Sequence, residues 1–129
     1  MDNPGYGYVQ ELTASVGVSD LGAAIEWYQS VLGFSLLYRM DDIGWCEMAT
    51  AMPGVNIGLS QLESVGKGGG ATVVFGVDDI EGAKAHLDSL GVRQDGGIQV
   101  IEAMVKLITF FDPDGNTLMF SQNLTTANP

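Results

Sequence analysis

The sequence predicts an α+β fold of two βαβββ repeats whose cupped mixed sheets enclose a cavity, and three observations predict it. A strand-helix segment occurs twice, a terminal strand of each half occurs twice, and the stretches between them alternate in polarity between turn residues. Duplication is read first because it decides the architecture. "TASVGVSDLGAAIEWYQSVLGF" at 13–34 lines up with "TVVFGVDDIEGAKAHLDSLGV" at 72–92, so Thr13, Gly17, Val18 and Asp20 match Thr72, Gly76, Val77 and Asp79, each 59 residues on. "GVNIGLSQ" at 54–61 matches "GNTLMFSQ" at 115–122, 61 residues on.

Residues 13–18 place Ala14, Val16 and Val18 on one face and Thr13, Ser15 and Gly17 on the other, the period of a half-buried strand; Val73, Phe75 and Val77 oppose Thr72, Val74 and Gly76 in the same way. Each strand leads into a helix. Ser19-Asp20 signals the first start, and Asp78 with Glu81 three residues later resembles a capping box at the second. Leu21, Ala24, Ile25, Tyr28 and Leu32 recur at helical spacing, as do Ile80, Ala83, Leu87 and Leu90, and Gly33 and Gly91 supply left-handed ends. Three strands then complete each half, at about 34–40, 44–49 and 55–61 and at about 98–102, 105–111 and 116–122. "MDDIGW" reads as a hairpin turn rather than a calcium or magnesium site. The expected organisation is one domain over 1–129: a first half at about 8–63, a flexible Gly-rich linker "SVGKGGG" at 64–70, a second half at about 71–124 and a short tail at 125–129.

A βαβββ unit leaves its helix on one face of the sheet, so side chains of opposite phase face a concave space between two such sheets. Val55, Ile57, Leu59, Leu118 and Phe120 take the helix side, and Asn56, Gly58, Ser60, Thr117, Met119 and Ser121 the cavity side. In the third strand Trp45, Glu47 and Ala49 share the cavity side while Cys46 and Met48 pack toward the helix. Trp45 can stack on a planar ligand or be a sheet-edge residue; Glu47 can pair with a cation, act as a general base or stay solvated. Arg39 reads as an anion anchor or an exposed strand residue, and Lys106 takes the repeat position of Trp45.

Composition narrows the function classes. With 16 Asp and Glu against 5 Lys and Arg, the formal charge of −11 opposes nucleic acid and anionic membrane partners, whose binding needs clustered basic residues, and attracts cationic small molecules. Cys46 is the sole cysteine, so neither an internal disulfide nor a cysteine metal cluster can form, and His86, the sole histidine, reads as a structural or exposed helix residue. "MDNPGYGYVQ" has neither a basic region nor an apolar run, so the expected location is cytoplasmic.

The doubled βαβββ order, "VSDLGAAIEWYQSVLGF" and above all "FFDPDGNTLMFSQ" resemble the vicinal oxygen chelate superfamily, which includes glyoxalase I, extradiol dioxygenases and bleomycin-resistance proteins; the similarity runs from about Glu11 to Asn123. The resemblance implies a glyoxalase-like fold and, for chains of this length, a homodimer. Metal-using members carry His, Glu or Gln at four positions that map here onto Thr13, Gly58, Thr72 and Met119, none an effective ligand for a divalent ion. The expectation is therefore no metal and no cofactor. Two function classes stay open: a metal-free, bleomycin-resistance-like protein binding a cationic or planar small molecule through Thr13, Ser15, Arg39, Trp45, Glu47, Asn56, Gly58, Thr72, Thr117 and Met119, or an enzyme (lyase, isomerase or dioxygenase), either metal-free with Glu47 as catalytic acid/base or metal-dependent with atypical ligands.

Overall fold

The computed structural model describes residues 5, 9–64 and 72–124; the expected linker beyond residue 64 and the tail at 125–129 lie outside them. The elements are β1 (Leu12–Val18), α1 (Leu21–Leu32), β2 (Ser35–Met40), β3 (Trp45–Ala49), β4 (Val55–Gln61), β5 (Val73–Gly76), α2 (Ile80–Ser89), β6 (Gln99–Ile101), β7 (Val105–Phe111) and β8 (Thr117–Asn123). The order is βαβββ twice, as the repeat requires. The halves form two compact units, Met1–Glu63 and Ser64–Pro129. Each holds one four-stranded mixed sheet, ordered β1-β4-β3-β2 in the first and β5-β8-β7-β6 in the second. The first strand runs parallel to the last, and the remaining pairs are antiparallel.

Alternation places the core. In the first unit Leu21, Ala24, Ile25 and Tyr28 of α1 are buried, as are Val18, Cys46, Met48, Ile57 and Leu59, the helix-side residues of β1, β3 and β4. In the second unit Ile80 and Leu87 of α2 are buried with Phe75, Ile108, Phe110 and Leu118, and the Phe110 and Phe120 rings stand 4.6 Å apart. Each large apolar side chain withdrawn from water contributes about 1.5–3 kcal/mol, so these two clusters set the phase of the strands that supply them, β1, β3 and β4 in the first unit and β5, β7 and β8 in the second. Burial also pushes the Cys46 thiol pKa up, which leaves it an inert packing group.

Helix ends follow local chemistry. Asp20 caps α1 by accepting from the Ala23 N–H at 3.0 Å, and Gly33 ends it at φ 74°. At α2 the cap is Asp79, which accepts from the Gly82 N–H at 3.1 Å, rather than Asp78. Asp78 lies one residue outside the helix, so Glu81 falls at the second helical position and no capping box forms. "DDI" is a 3-10 turn at Asp41–Ile43 closed by Gly44 at φ 64°, which joins β2 to β3 as expected.

The doubled Ser-Gln ending has a structural cause. Gln61 Oε1 accepts from the Leu21 N–H at 2.8 Å, and Gln122 Oε1 accepts from the Ile80 N–H at 2.7 Å. In each half the last strand thus supplies an acceptor to the first residue of the helix, one of the N–H groups with no partner inside it.

No helix among the described residues is long and apolar enough to cross a membrane.

Candidate functional site

The helix-free face of the first sheet gathers a polar cluster around Glu47. Pairing fixes its members: Thr13 lies beside Asn56, Ser15 and Glu47 both lie beside Gly58, and Trp45 lies beside Ser60. Glu47 Oε2 accepts from Thr13 Oγ1 at 3.1 Å and from Asn56 Nδ2 at 2.8 Å. Its Oε1 accepts from Tyr38 Oη at 2.9 Å, and Tyr38 Oη in turn accepts from the Trp45 indole Nε1–H at 3.1 Å. Asn56, then Tyr38, hold the Glu47 carboxyl below its ordinary pKa against partial desolvation, with Thr13 adding least. Glu47 is therefore an anion at neutral pH, held in one orientation by three neutral donors.

Trp45 is located by what Gly58 lacks. A β-carbon on Gly58 would stand 2.0 Å from Trp45 Cη2 and 2.6 Å from Cζ2, so the indole occupies the space where any other side chain would project. Glycine at 58 and tryptophan at 45 are thus one packing decision. Position 58 is also one of the four to which the family resemblance assigns a metal ligand.

Those four positions do not fit a divalent ion. Thr13 and Thr72 carry neutral hydroxyls, the first of them donating to Glu47; Gly58 has no side chain and its space holds Trp45; Met119 offers a thioether. Among the described residues no three His, Cys, Asp or Glu stand together in a way that could hold a metal.

Of the residues expected at the site, Thr13, Ser15, Trp45, Glu47, Asn56 and Gly58 share this face, whereas Arg39 does not. A register shift between Leu36 and Tyr38 inserts an extra residue into β2, so Tyr38 pairs with Glu47 and Arg39 pairs with the buried, helix-side Cys46. The Arg39 guanidinium bonds Asp41 at 2.6 Å. Strict alternation hides this exchange, and the unbroken apolar run Leu36-Leu37 is the one local signal of it. Thr117 and Met119 share the helix-free face of the second sheet, while Thr72 stands directly before β5.

Lys106 is not the counterpart of Trp45. Trp45 pairs with Ser60, and the residue pairing with the matching Ser121 is Leu107; Lys106 pairs with Gln122 on the helix side and bonds Glu81 of α2 at 2.5 Å. The hairpin after β7 is one residue shorter than the hairpin after β3, which moves the offset by one. His86 is exposed on α2, and the buried Asp112 is a turn residue that accepts from the Asp114 and Asn116 N–H groups and Asn116 Nδ2 at 2.8–2.9 Å.

The family model described as Glyoxalase/Bleomycin resistance protein/Dioxygenase superfamily matches residues 9–120. Among solved structures, the antibiotic binding protein TnmS3 from Streptomyces sp. CB03234 is 26% identical with a TM-score of 0.74, over 94% of this chain and 99% of that one. A superfamily member from Sphaerobacter thermophilus is 22% identical with a TM-score of 0.76, over 90% and 98%. The fosfomycin resistance protein FosX from Listeria monocytogenes is 15% identical with a TM-score of 0.75, over 86% and 90%. No curated protein matches the chain.

Proposed function

The chain belongs to the Glyoxalase/Bleomycin resistance protein/Dioxygenase superfamily, and on that premise we propose that it is a metal-free protein binding a small cationic or planar molecule on the helix-free face of its first sheet. The observation that supports this is the Glu47 carboxylate. Three neutral donors fix it, and among the described residues no Lys or Arg pairs with it, so its charge is available to a ligand. Trp45, half-buried alongside, offers an aromatic surface, and the charge of −11 concentrates cations near the molecule. One solved relative, at 26% identity, is described as an antibiotic binding protein.

The same geometry weighs against Glu47 as a catalytic base. A general base works best with a pKa near the operating pH, and here every donor moves Glu47 the other way. Arg39 has no part in this reading, because it lies on the helix side of the sheet and bonds Asp41. A homodimer and a cytoplasmic setting complete the proposal; sedimentation velocity checks the first and cell fractionation the second.

The test is isothermal titration of the purified protein with planar cations and their neutral isosteres, paired with elemental analysis. The expected result is binding that requires the positive charge, with no stoichiometric metal. Silence toward every cation from a folded sample, or one equivalent of Zn, Ni, Fe or Mn, would overturn it.

A further inference from the structure

We infer that the site selects a protonated amine, which can place one N–H⁺ on a lone acceptor, over a guanidinium or a quaternary ammonium, because Thr13, Tyr38 and Asn56 leave Glu47 one acceptor position. The inference rests on the cation-binding reading above and narrows it.

An ionised carboxylate has about four acceptor positions, two on each oxygen. Oε2 receives Thr13 Oγ1 and Asn56 Nδ2, which fills it. Oε1 receives Tyr38 Oη and keeps one position. A guanidinium binds a carboxylate best as a fork, with parallel N–H groups on both oxygens, and the filled Oε2 denies it the second prong. A quaternary ammonium has no N–H to place on Oε1 and is left with charge and the indole alone. A protonated amine matches what remains: one of its N–H groups meets the one free acceptor, and it needs no second oxygen.

Tyr38 is a positioning residue in this arrangement. Its hydroxyl accepts from Trp45 Nε1 and donates to Glu47 Oε1, so one group sets the indole relative to the open acceptor position. A ligand that docks its N–H⁺ on Oε1 therefore meets the indole at a fixed offset. Asn56 and Thr13 act as specificity determinants by occupying Oε2.

A matched series tests this: naphthylmethylamine, naphthylmethylguanidine and naphthylmethyltrimethylammonium, with naphthalenemethanol as the neutral control, titrated calorimetrically into the whole chain. One charge-assisted hydrogen bond distinguishes the probes, so the amine should bind roughly tenfold or more tightly than the guanidine and the quaternary ion. In Asn56→Ala, which frees a position on Oε2, the guanidine should gain on the amine; Thr13→Val should shift the ratio the same way, and circular dichroism confirms that both variants fold. A guanidine equal to or tighter than the amine in the natural chain, or a ratio unmoved in both variants, sinks the inference while leaving cation binding intact. If no cation binds better than naphthalenemethanol, the cation-binding reading fails and the inference with it.

Discussion

The two halves share what folding needs and differ on their helix-free faces. Both carry Ser-Gln at or near the end of their last strand, and both use that Gln to accept from the first N–H of the helix. In both a glycine with positive φ precedes that strand, Gly54 at 77° and Gly115 at 85°. The helix-free faces diverge. Pairing matches Glu47 with Thr109, Gly58 with Met119, Trp45 with Leu107 and Ser15 with Val74. The first sheet thus presents a fixed anion beside an indole, and the second presents a neutral, largely apolar surface at the same positions. Duplication kept the hydrogen bonds that hold strand to helix and left the opposite face free to change.

The comparison breaks most readily at the opening glycines. A β-carbon on Gly54 would stand 2.0 Å from the backbone oxygen of Gln10, whereas on Gly115 it would meet only Arg93 Nη2 at 3.6 Å. Gly54→Ala should cost about 3 kcal/mol or more, because main chain must move, and Gly115→Ala about 1–2 kcal/mol, the cost of a left-handed non-glycine residue. Urea denaturation checks both, and equal losses would show that the Gln10 contact does not constrain the first half.

Gly58→Met, which installs the second half's residue in the first, should displace Trp45. Overpacking of this kind typically costs about 1–3 kcal/mol. Cation binding should fall at least roughly tenfold, the loss of one good aromatic or charged contact. Retention of full affinity would remove Trp45 from the site.

The terminal glutamines sharpen the likeness between the halves. Gln61→Ala and Gln122→Ala should each cost about 1 kcal/mol, the net worth of one partly buried hydrogen bond, and should agree with each other within the error of denaturant melts. A clear gap would mean that the two helix starts depend on different partners.

The smallest effect concerns pH. Because the folded-state pKa of Glu47 is lowered, its contribution to stability is present above the unfolded value and is lost as pH falls through the folded one. The stability advantage of the natural chain over Glu47→Gln should therefore hold through neutral pH and shrink only in acid. A gap that instead changes near neutrality would contradict a carboxylate held by Asn56, Tyr38 and Thr13.

The fold was legible because two independent periodicities agree. The 59–61-residue repeat fixes the topology, and two-residue alternation fixes the face, as Ile57 and Leu59 against Asn56 and Gly58 illustrate. Alternation also placed Trp45 and Glu47 on the helix-free face. It could not find Tyr38, because the register shift in β2 inverts phase between Leu36 and Tyr38 and exchanges Tyr38 for Arg39 on the helix-free face. It misassigned Lys106 for a related reason: a one-residue difference in hairpin length turns a side chain to the other face. The role of Gln61 and Gln122 depends on a bond between elements about 40 residues apart, which no local pattern encodes, although their identity in both halves was visible.

The most direct measurement is the dissociation constant of naphthylmethylamine for the natural chain, Glu47→Gln and Thr109→Val, the last two altering matched positions of the two halves. Glu47→Gln removes the charge and keeps the shape, so affinity should fall by roughly tenfold or more, while Thr109→Val should leave it within about twofold. Unchanged affinity in Glu47→Gln, or an equal loss in both variants, would contradict a binding face built on the first half's carboxylate.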